Sequence, residues 1–202
     1  MSATLPEPVD EKKRRFLLVA ATAATGAVAG AGVAVPFLGS WFPSARALAA
    51  GAPVEVDISK IEAGQQVTFE WRGKPVWVLR RTKEMLEALT NHDAVLVDPE
   101  SRDSVQPDYV KGPGRSIKPE LFIVEGVCTH LGCSPTLKKE IGAASDMGGD
   151  WPGGYFCPCH NSRFDLAARV FKGSPAPTNL RVPPHRLVGE TLVVIGEDTK
   201  GA

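Results

Sequence analysis

The stretch CPCHNSRFD, residues 157–165, places two cysteines and a histidine within four consecutive positions, and CTHLGC at 128–133 supplies a matching half. Together the two boxes hold all four cysteines of the 202-residue chain and two of its four histidines. Written out, the pattern is Cys128-x-His130-x-x-Cys133, then 23 residues, then Cys157-x-Cys159-His160. Each box offers soft sulfur beside imidazole nitrogen on a segment short enough to fold around one site. Three chemistries use such donors: a structural zinc with two Cys and two His, a cysteine nucleophile paired with a histidine, and an iron–sulfur cluster whose Cys₂His₂ ligands are split between two irons. Zinc leaves two cysteines idle and a nucleophile leaves three. A two-iron cluster takes four residues and leaves one cysteine in each box, which can join as a disulfide, so the count favours the cluster.

The rest of the chain says where such a site would sit. Twenty-three basic residues against 23 acidic ones give no net charge, which argues against a nucleic-acid partner or a strongly acidic substrate. At 43% hydrophobic, the chain can bury a sizeable core. The charge is unevenly spread: after EKKRR at 11–15 none appears until Arg46. The interval Phe16–Phe42 exceeds the roughly 20 apolar residues that cross a bilayer as a helix. It reads as a membrane anchor, bent near its far side by Pro36, with Trp41 and Phe42 at the interface and Lys12, Lys13, Arg14 and Arg15 holding the N-terminus in the cytoplasm. A buried core helix and a cleaved secretory signal ending at the ALA of 47–49 are the alternatives; the apolar run is longer than a signal core, which favours a retained anchor. KKRRFLL at 12–18 also looks like a twin-arginine export signal, although its arginine pair and spacer do not align with the usual pattern. PSARALAAGAP, 43–53, has no period of helix or strand and reads as a tether that would reach roughly 35 to 40 Å fully extended.

From Val54 the pattern becomes short strands and turns: VEVDI, QQVTFEWRGKPVWVLRR with a reversal at Arg72-Gly73, LFIVEGV and TLVVIG. One short helix is expected at TKEMLEAL, with Thr82 as N-cap and Glu84 in its first turn. The Pro- and Gly-rich interval 98–119 reads as an irregular surface insertion, and the LRR at 79–81 as a solvated strand end.

CTHLGC and CPCHNS resemble the two cluster-binding boxes of the Rieske iron–sulfur subunits of cytochrome bc complexes, and the basic N-terminus, single anchor, small-residue hinge and GSPAP at 173–177 extend the resemblance over most of the chain. It implies an all-β Rieske-type domain of stacked antiparallel sheets with a cluster-binding subdomain, plus one N-terminal transmembrane helix. The domains would be a cytoplasmic tail at 1–15, the anchor at 16–42, a flexible hinge at 43–53 and a Rieske domain at 54–202 whose cluster-binding part covers about 121–180. It implies one [2Fe–2S] cluster held by Cys128 and Cys157 on the inner iron and by His130 and His160 on the outer one, with Cys133 and Cys159 as a disulfide and Ser162 bonding a bridging sulfide. A disulfide needs an oxidising compartment, which agrees with a domain outside the cytoplasm of a bacterial inner membrane. The implied partners are cytochrome b, a c-type cytochrome and quinol, in a dimeric quinol–cytochrome-c reductase. Two imidazoles in place of two thiolates raise the potential, to between about −150 and +300 mV across such centres. The resemblance makes His160 the ligand that hydrogen-bonds quinol, Leu131 and Gly132 parts of the contact tip, and SPAP at 174–177 a proline loop that keeps water from the cluster. The small Rieske subunit of arsenite oxidase, soluble Rieske ferredoxins and a zinc module are the competing readings.

His92, His185, Trp71, Trp77 and Trp151 read as ordinary structural or surface residues. Two positions depart from the family. Asn161 stands where glycine is usual, at a place that suits a left-handed backbone. Phe164 stands where high-potential members carry a tyrosine whose hydroxyl bonds a ligand sulfur. Hydrogen bonds to cluster sulfur stabilise the more negative reduced state. Phe164→Tyr is therefore expected to raise the midpoint potential in protein-film voltammetry, and an unchanged or lower value would refute this reading of the position.

Overall fold

The computed structural model describes residues 10–198; residues 1–9 of the expected tail and 199–202 of the expected domain lie outside the described residues. The chain divides into two compact units between Ala49 and Ala50.

The first unit is dominated by helix α1, Glu11–Gly39. The Asp10 side chain caps it by accepting from the backbone N–H groups of Lys12 and Lys13, at 2.9 and 3.4 Å. The cap starts the helix five residues before the expected boundary of 16, and Gly39 ends it before Trp41 and Phe42. With a mean hydropathy of 1.8 over its most apolar window and 29 residues, α1 is long and apolar enough to cross a bilayer. The expected tether is not wholly irregular: Ala45–Ala50 form a second helix, α2. Four of its six residues are alanine, so intrinsic propensity supplies the helix where no period announced one. These residues take up about 9 Å as helix instead of roughly 20 Å extended, which shortens the reach expected of 43–53.

Among its described residues the second unit has nine strands and one α-helix: β1 (Val54–Asp57), β2 (Gln66–Trp71), β3 (Lys74–Arg80), α3 (Lys83–Ala88), β4 (Leu121–Glu125), β5 (Thr136–Lys138), β6 (Gly154–Cys157), β7 (Ser162–Asp165), β8 (His185–Val188) and β9 (Leu192–Ile195). They form three antiparallel sheets, ordered β1-β9-β8, β2-β3-β4 and β5-β6-β7. The middle sheet is buried on both faces. On one, Val76, Val78, Leu121 and Ile123 pack with Val56, Val193 and Ile195 of the first sheet. On the other, Trp77, Leu79, Phe122 and Val124 pack with Tyr155, Cys157 and Phe164 of the third. Burial on both sides explains why β3 and β4 read as unbroken apolar runs. Trp77 stacks on Tyr155 with centroids 5.0 Å apart, which ties the middle sheet to the third. Gly126 makes room for that indole, since a Cβ there would lie 2.3 Å from the Trp77 ring. Arg72 and Gly73 both take positive φ in the β2–β3 turn, and Thr82 caps α3 by accepting from the Met85 N–H, as expected.

Two expectations are corrected. The 98–119 segment is irregular apart from a 3-10 turn at Asp108–Val110, but it is not a surface insertion, because Ser101, Val110 and Arg115 are fully buried. Its polar composition reads as solvated, yet those polar groups find partners inside the fold. The LRR end of β3 is likewise not solvated: Arg81 is 2% exposed, donates from Nη2 to Gly114 O and Ser116 Oγ, and lies over the Phe122 ring.

A buried polar hub closes the chain behind β7. Asp165, fully buried, accepts from the N–H groups of Ala167 and Arg169 and from Arg169 Nε at 2.7 Å, and its Oδ2 also bonds His92 Nε2 at 3.1 Å. Arg169, also fully buried, donates onward to Asp93, Pro99 O and Leu89 O. Burial alone would raise the Asp165 pKa, but the His92 hydrogen bond and the Arg169 charge and hydrogen bonds outweigh it and leave the carboxyl below its ordinary value. A depressed folded-state pKa gives stability that is present above about 3.9, the unfolded value, and is lost as pH falls through the folded one. Urea midpoints of the detergent-solubilised chain should therefore fall as pH drops below about 5, and Asp165→Asn should cost about 3–5 kcal/mol at neutral pH while flattening that acid dependence. An Asp165→Asn variant as stable as the parent at pH 7 would contradict the assignment.

Candidate metal centre

The two boxes fold as matching loops. In the first, the Gly132 N–H donates to Cys128 O at 3.0 Å; in the second, the Asn161 N–H donates to Cys157 O, also at 3.0 Å. Each loop closes on the carbonyl of its first cysteine through a residue four positions on, and that residue is left-handed in both, φ 84° at Gly132 and 62° at Asn161. Asparagine is among the few side chains that tolerate this region, which accounts for its place in the second box. The second loop is also the β6–β7 hairpin connection, with Cys157 opposite Ser162.

The loops are joined at their outer ends by a Cys133–Cys159 disulfide. Beneath it Cys128 and Cys157 are free thiols, 3% and 2% exposed. His160 is exposed and His130 half-buried, and their rings meet edge to face with centroids 4.7 Å apart. The site is therefore layered, with sulfur inside and imidazole at the rim. The sulfurs of Cys133, Cys157 and Cys159 lie within 4.8 Å of one another, but two of them are spent on the disulfide, which leaves Cys157 and Cys128 as the available thiols.

The donor set fits a metal cluster. Burial pushes the Cys128 thiol up and the adjacent Cys157 adds to this, against the His130 backbone N–H and the Ser162 hydroxyl, which favour the thiolate. Two thiolates side by side in an apolar core need a cation to balance them, and such ligands lose their protons when metal binds. Ser162, fully buried, accepts the Ala176 N–H at Oγ, 3.1 Å, which leaves its own proton to donate to the inner sulfurs.

The segment 174–178 is hydrogen-bonded to both boxes. Besides the Ala176–Ser162 bond, Ser174 Oγ accepts from the Arg163 N–H, and Thr129 Oγ1 in the first box donates to Thr178 O at 2.7 Å.

Residues outside the boxes hold the loops from behind, and these were missed in the sequence. Asn179, fully buried, accepts the Val170 N–H and donates to Asp98 O and Ser101 Oγ. Arg115 donates to Ala167 O, Ala168 O and Leu180 O. Arg115 sits in the 98–119 segment that reads as surface, and Asn179 follows shortly after the SPAP stretch, so no local pattern marked either of them. His92 and His185 bond Asp165 and Pro183 O respectively, not the inner cysteines, and are structural residues. Trp71, Trp77 and Trp151 are core residues.

Comparison with known proteins agrees with this arrangement. Residues 53–184 match the family model described as the Rieske [2Fe-2S] domain, and residues 5–44 match one described as the ubiquitinol-cytochrome C reductase Fe-S subunit TAT signal. The ubiquinol-cytochrome c reductase iron-sulfur subunit of Allochromatium vinosum is 60% identical over 192 residues, covering 95% of this chain and 92% of that one. Those of Blastochloris viridis and Bradyrhizobium diazoefficiens are 44% and 40% identical, over 92% and 96% of this chain and 94% and 99% of their own lengths. With the boxes, the layered donors and a match over most of its length, the chain belongs to the Rieske [2Fe–2S] domain family.

Proposed function

We propose that this chain is the Rieske electron-transfer subunit of a quinol–cytochrome-c reductase of the bc type, taking electrons from quinol and passing them to a c-type cytochrome. The observation that carries the reading is the layering of the site, with two free thiols buried beneath two imidazoles at an exposed rim. Relatives that share 40 to 60% identity over nearly the whole chain favour it over the arsenite-oxidase, ferredoxin and zinc alternatives.

Cys128 and Cys157 would hold the inner iron and His130 and His160 the outer one. When bound, such a centre supplies a one-electron acceptor of raised potential. The chain's own residues do the rest. His160, exposed at the rim, would accept a hydrogen bond from the quinol hydroxyl at a ring nitrogen and hold the transferred proton. Leu131, 71% exposed, and Gly132 beside it form an apolar lip for the quinol ring. Ala176 and Ser162, locked together, keep water from the inner sulfurs, and the disulfide keeps the loops paired. Helix α1 anchors the chain with its Lys12–Arg15 end in the cytoplasm, which puts the domain on the periplasmic side, where the disulfide is stable. The 43–53 segment is the hinge on which the domain moves between cytochrome b and the c-type cytochrome, in a complex that is dimeric.

Electron paramagnetic resonance on reduced membranes tests this. The expected result is a reduced [2Fe–2S] signal whose g tensor shifts when a quinol-site inhibitor is added, from a protein that co-purifies with cytochrome b. No signal would remove the cluster, and a signal indifferent to inhibitor would remove the role of His160.

A further inference from the structure

Buried charge in this domain is not balanced pair by pair. Its buried carboxylates are Asp98, Glu125 and Asp165, and its buried guanidiniums are Arg81, Arg115 and Arg169. Asp165 is paired with Arg169 at 2.7 Å and Glu125 with the Lys74 ammonium at 3.0 Å. Asp98 is satisfied by the N–H groups of Arg102 and Asp103 and by the Ser104 hydroxyl. Arg81 and Arg115 remain, and among the described residues no carboxylate hydrogen-bonds either of them.

Every hydrogen-bond partner of these two arginines among the described residues is neutral, and carboxylates reach them only through space, Asp98 and Asp165 acting on Arg115, and Asp165 and Glu120 on Arg81. Arg115 donates to Gln106 Oε1 and to the carbonyls of Ala167, Ala168 and Leu180. Arg81 donates from Nη2 to Gly114 O and Ser116 Oγ, while its Nε and Nη1 have no partner. Burial lowers both pKa values, to about 10, so both stay charged at neutral pH. A buried guanidinium with no carboxylate in direct contact costs stability and calls for a compensating gain.

The gain lies in the apolar cluster that they border. The acceptors of Arg115 at Ala167, Ala168 and Leu180, and the Phe122 ring under Arg81, belong to the same apolar cluster as Cys128 and Cys157. Charge acts over longer distances there than in water, because the medium is less polarisable and salt does not enter. With two ferric irons, two sulfides, two thiolates and two neutral imidazoles the bound centre has no net charge, so one added electron makes it singly negative.

We propose that Arg81 and Arg115 are potential-setting residues, a fixed positive field behind the centre that favours its reduced form and raises its midpoint potential. Resting on the cluster assignment above, this makes the 98–119 segment an electrostatic part of the redox site. It also offsets the missing hydroxyl at Phe164.

The test is a spectroelectrochemical titration of the full-length, cluster-loaded chain in detergent, at neutral pH, with the parent beside Arg81→Met, Arg81→Lys, Arg115→Gln and Arg115→Lys. Visible and paramagnetic spectra first establish that each variant holds its cluster; absence of the cluster from the parent as well would sink the assignment, not this inference. The expected result is a lower midpoint in Arg81→Met and Arg115→Gln, with both lysine variants near the parent. Midpoints unchanged in the two neutral variants overturn the proposal. So does an equal fall in the lysine and neutral variants, which would trace the effect to lost hydrogen bonds. Should Arg115→Gln fail to fold, the Arg81 pair decides alone, since Arg81 gives up two hydrogen bonds only.

Discussion

Two short loops held face to face, joined outside by the Cys133–Cys159 disulfide and lined inside by the free thiols of Cys128 and Cys157, are the constraint around which the rest of this domain is arranged. Neither loop has regular structure of its own. Each depends on a left-handed residue to return the chain, and on groups behind it to stay in place. Ser162 fastens Ala176 and Thr129 fastens the nearby Thr178, and Asp165, Arg169, Arg115 and Asn179 fasten the chain behind β7. The stability of the site is thus stored in hydrogen bonds from buried polar side chains to backbone, of which each contributes modestly and each is costly to leave unmade.

The three-sheet stack makes this possible. The middle sheet gives one apolar face to the outer sheet and the other to the cluster-binding sheet, so the third layer is built on a rigid floor. Trp77 against Tyr155 is the join between floor and site, and Gly126 is the space that allows it. Electron transfer needs a centre whose surroundings change little with charge, and a site braced by a sheet below and a hub of ion pairs behind meets that need.

Much of this was legible in the amino-acid order, for physical reasons that differ by element. β3 and β4 are buried on both faces and wrote themselves as apolar runs, and Thr82 signalled α3 as a cap. The boxes were legible because four sulfurs and two imidazoles cannot crowd without a chemical cause, and Asn161 because few side chains accept its backbone. β5, β6, β7 and β8 were not recognised as strands: they are three or four residues long, and their register is set by the loops they carry, not by a pattern of alternation. The burial of Arg81 and Arg115 was hidden because charge normally marks the surface, and only tertiary contacts from residues far along the chain reverse that rule. The short helix α2 was missed because alanine promotes helix without any periodicity.

The central claim is chemical, that the buried sulfurs and rim imidazoles together take up a two-iron, two-sulfide group. Elemental and acid-labile sulfide analysis of the purified full-length chain addresses it most directly. Iron and labile sulfide in equal amounts, about two of each per chain, are what a [2Fe–2S] centre requires. One zinc per chain with no labile sulfide would contradict it.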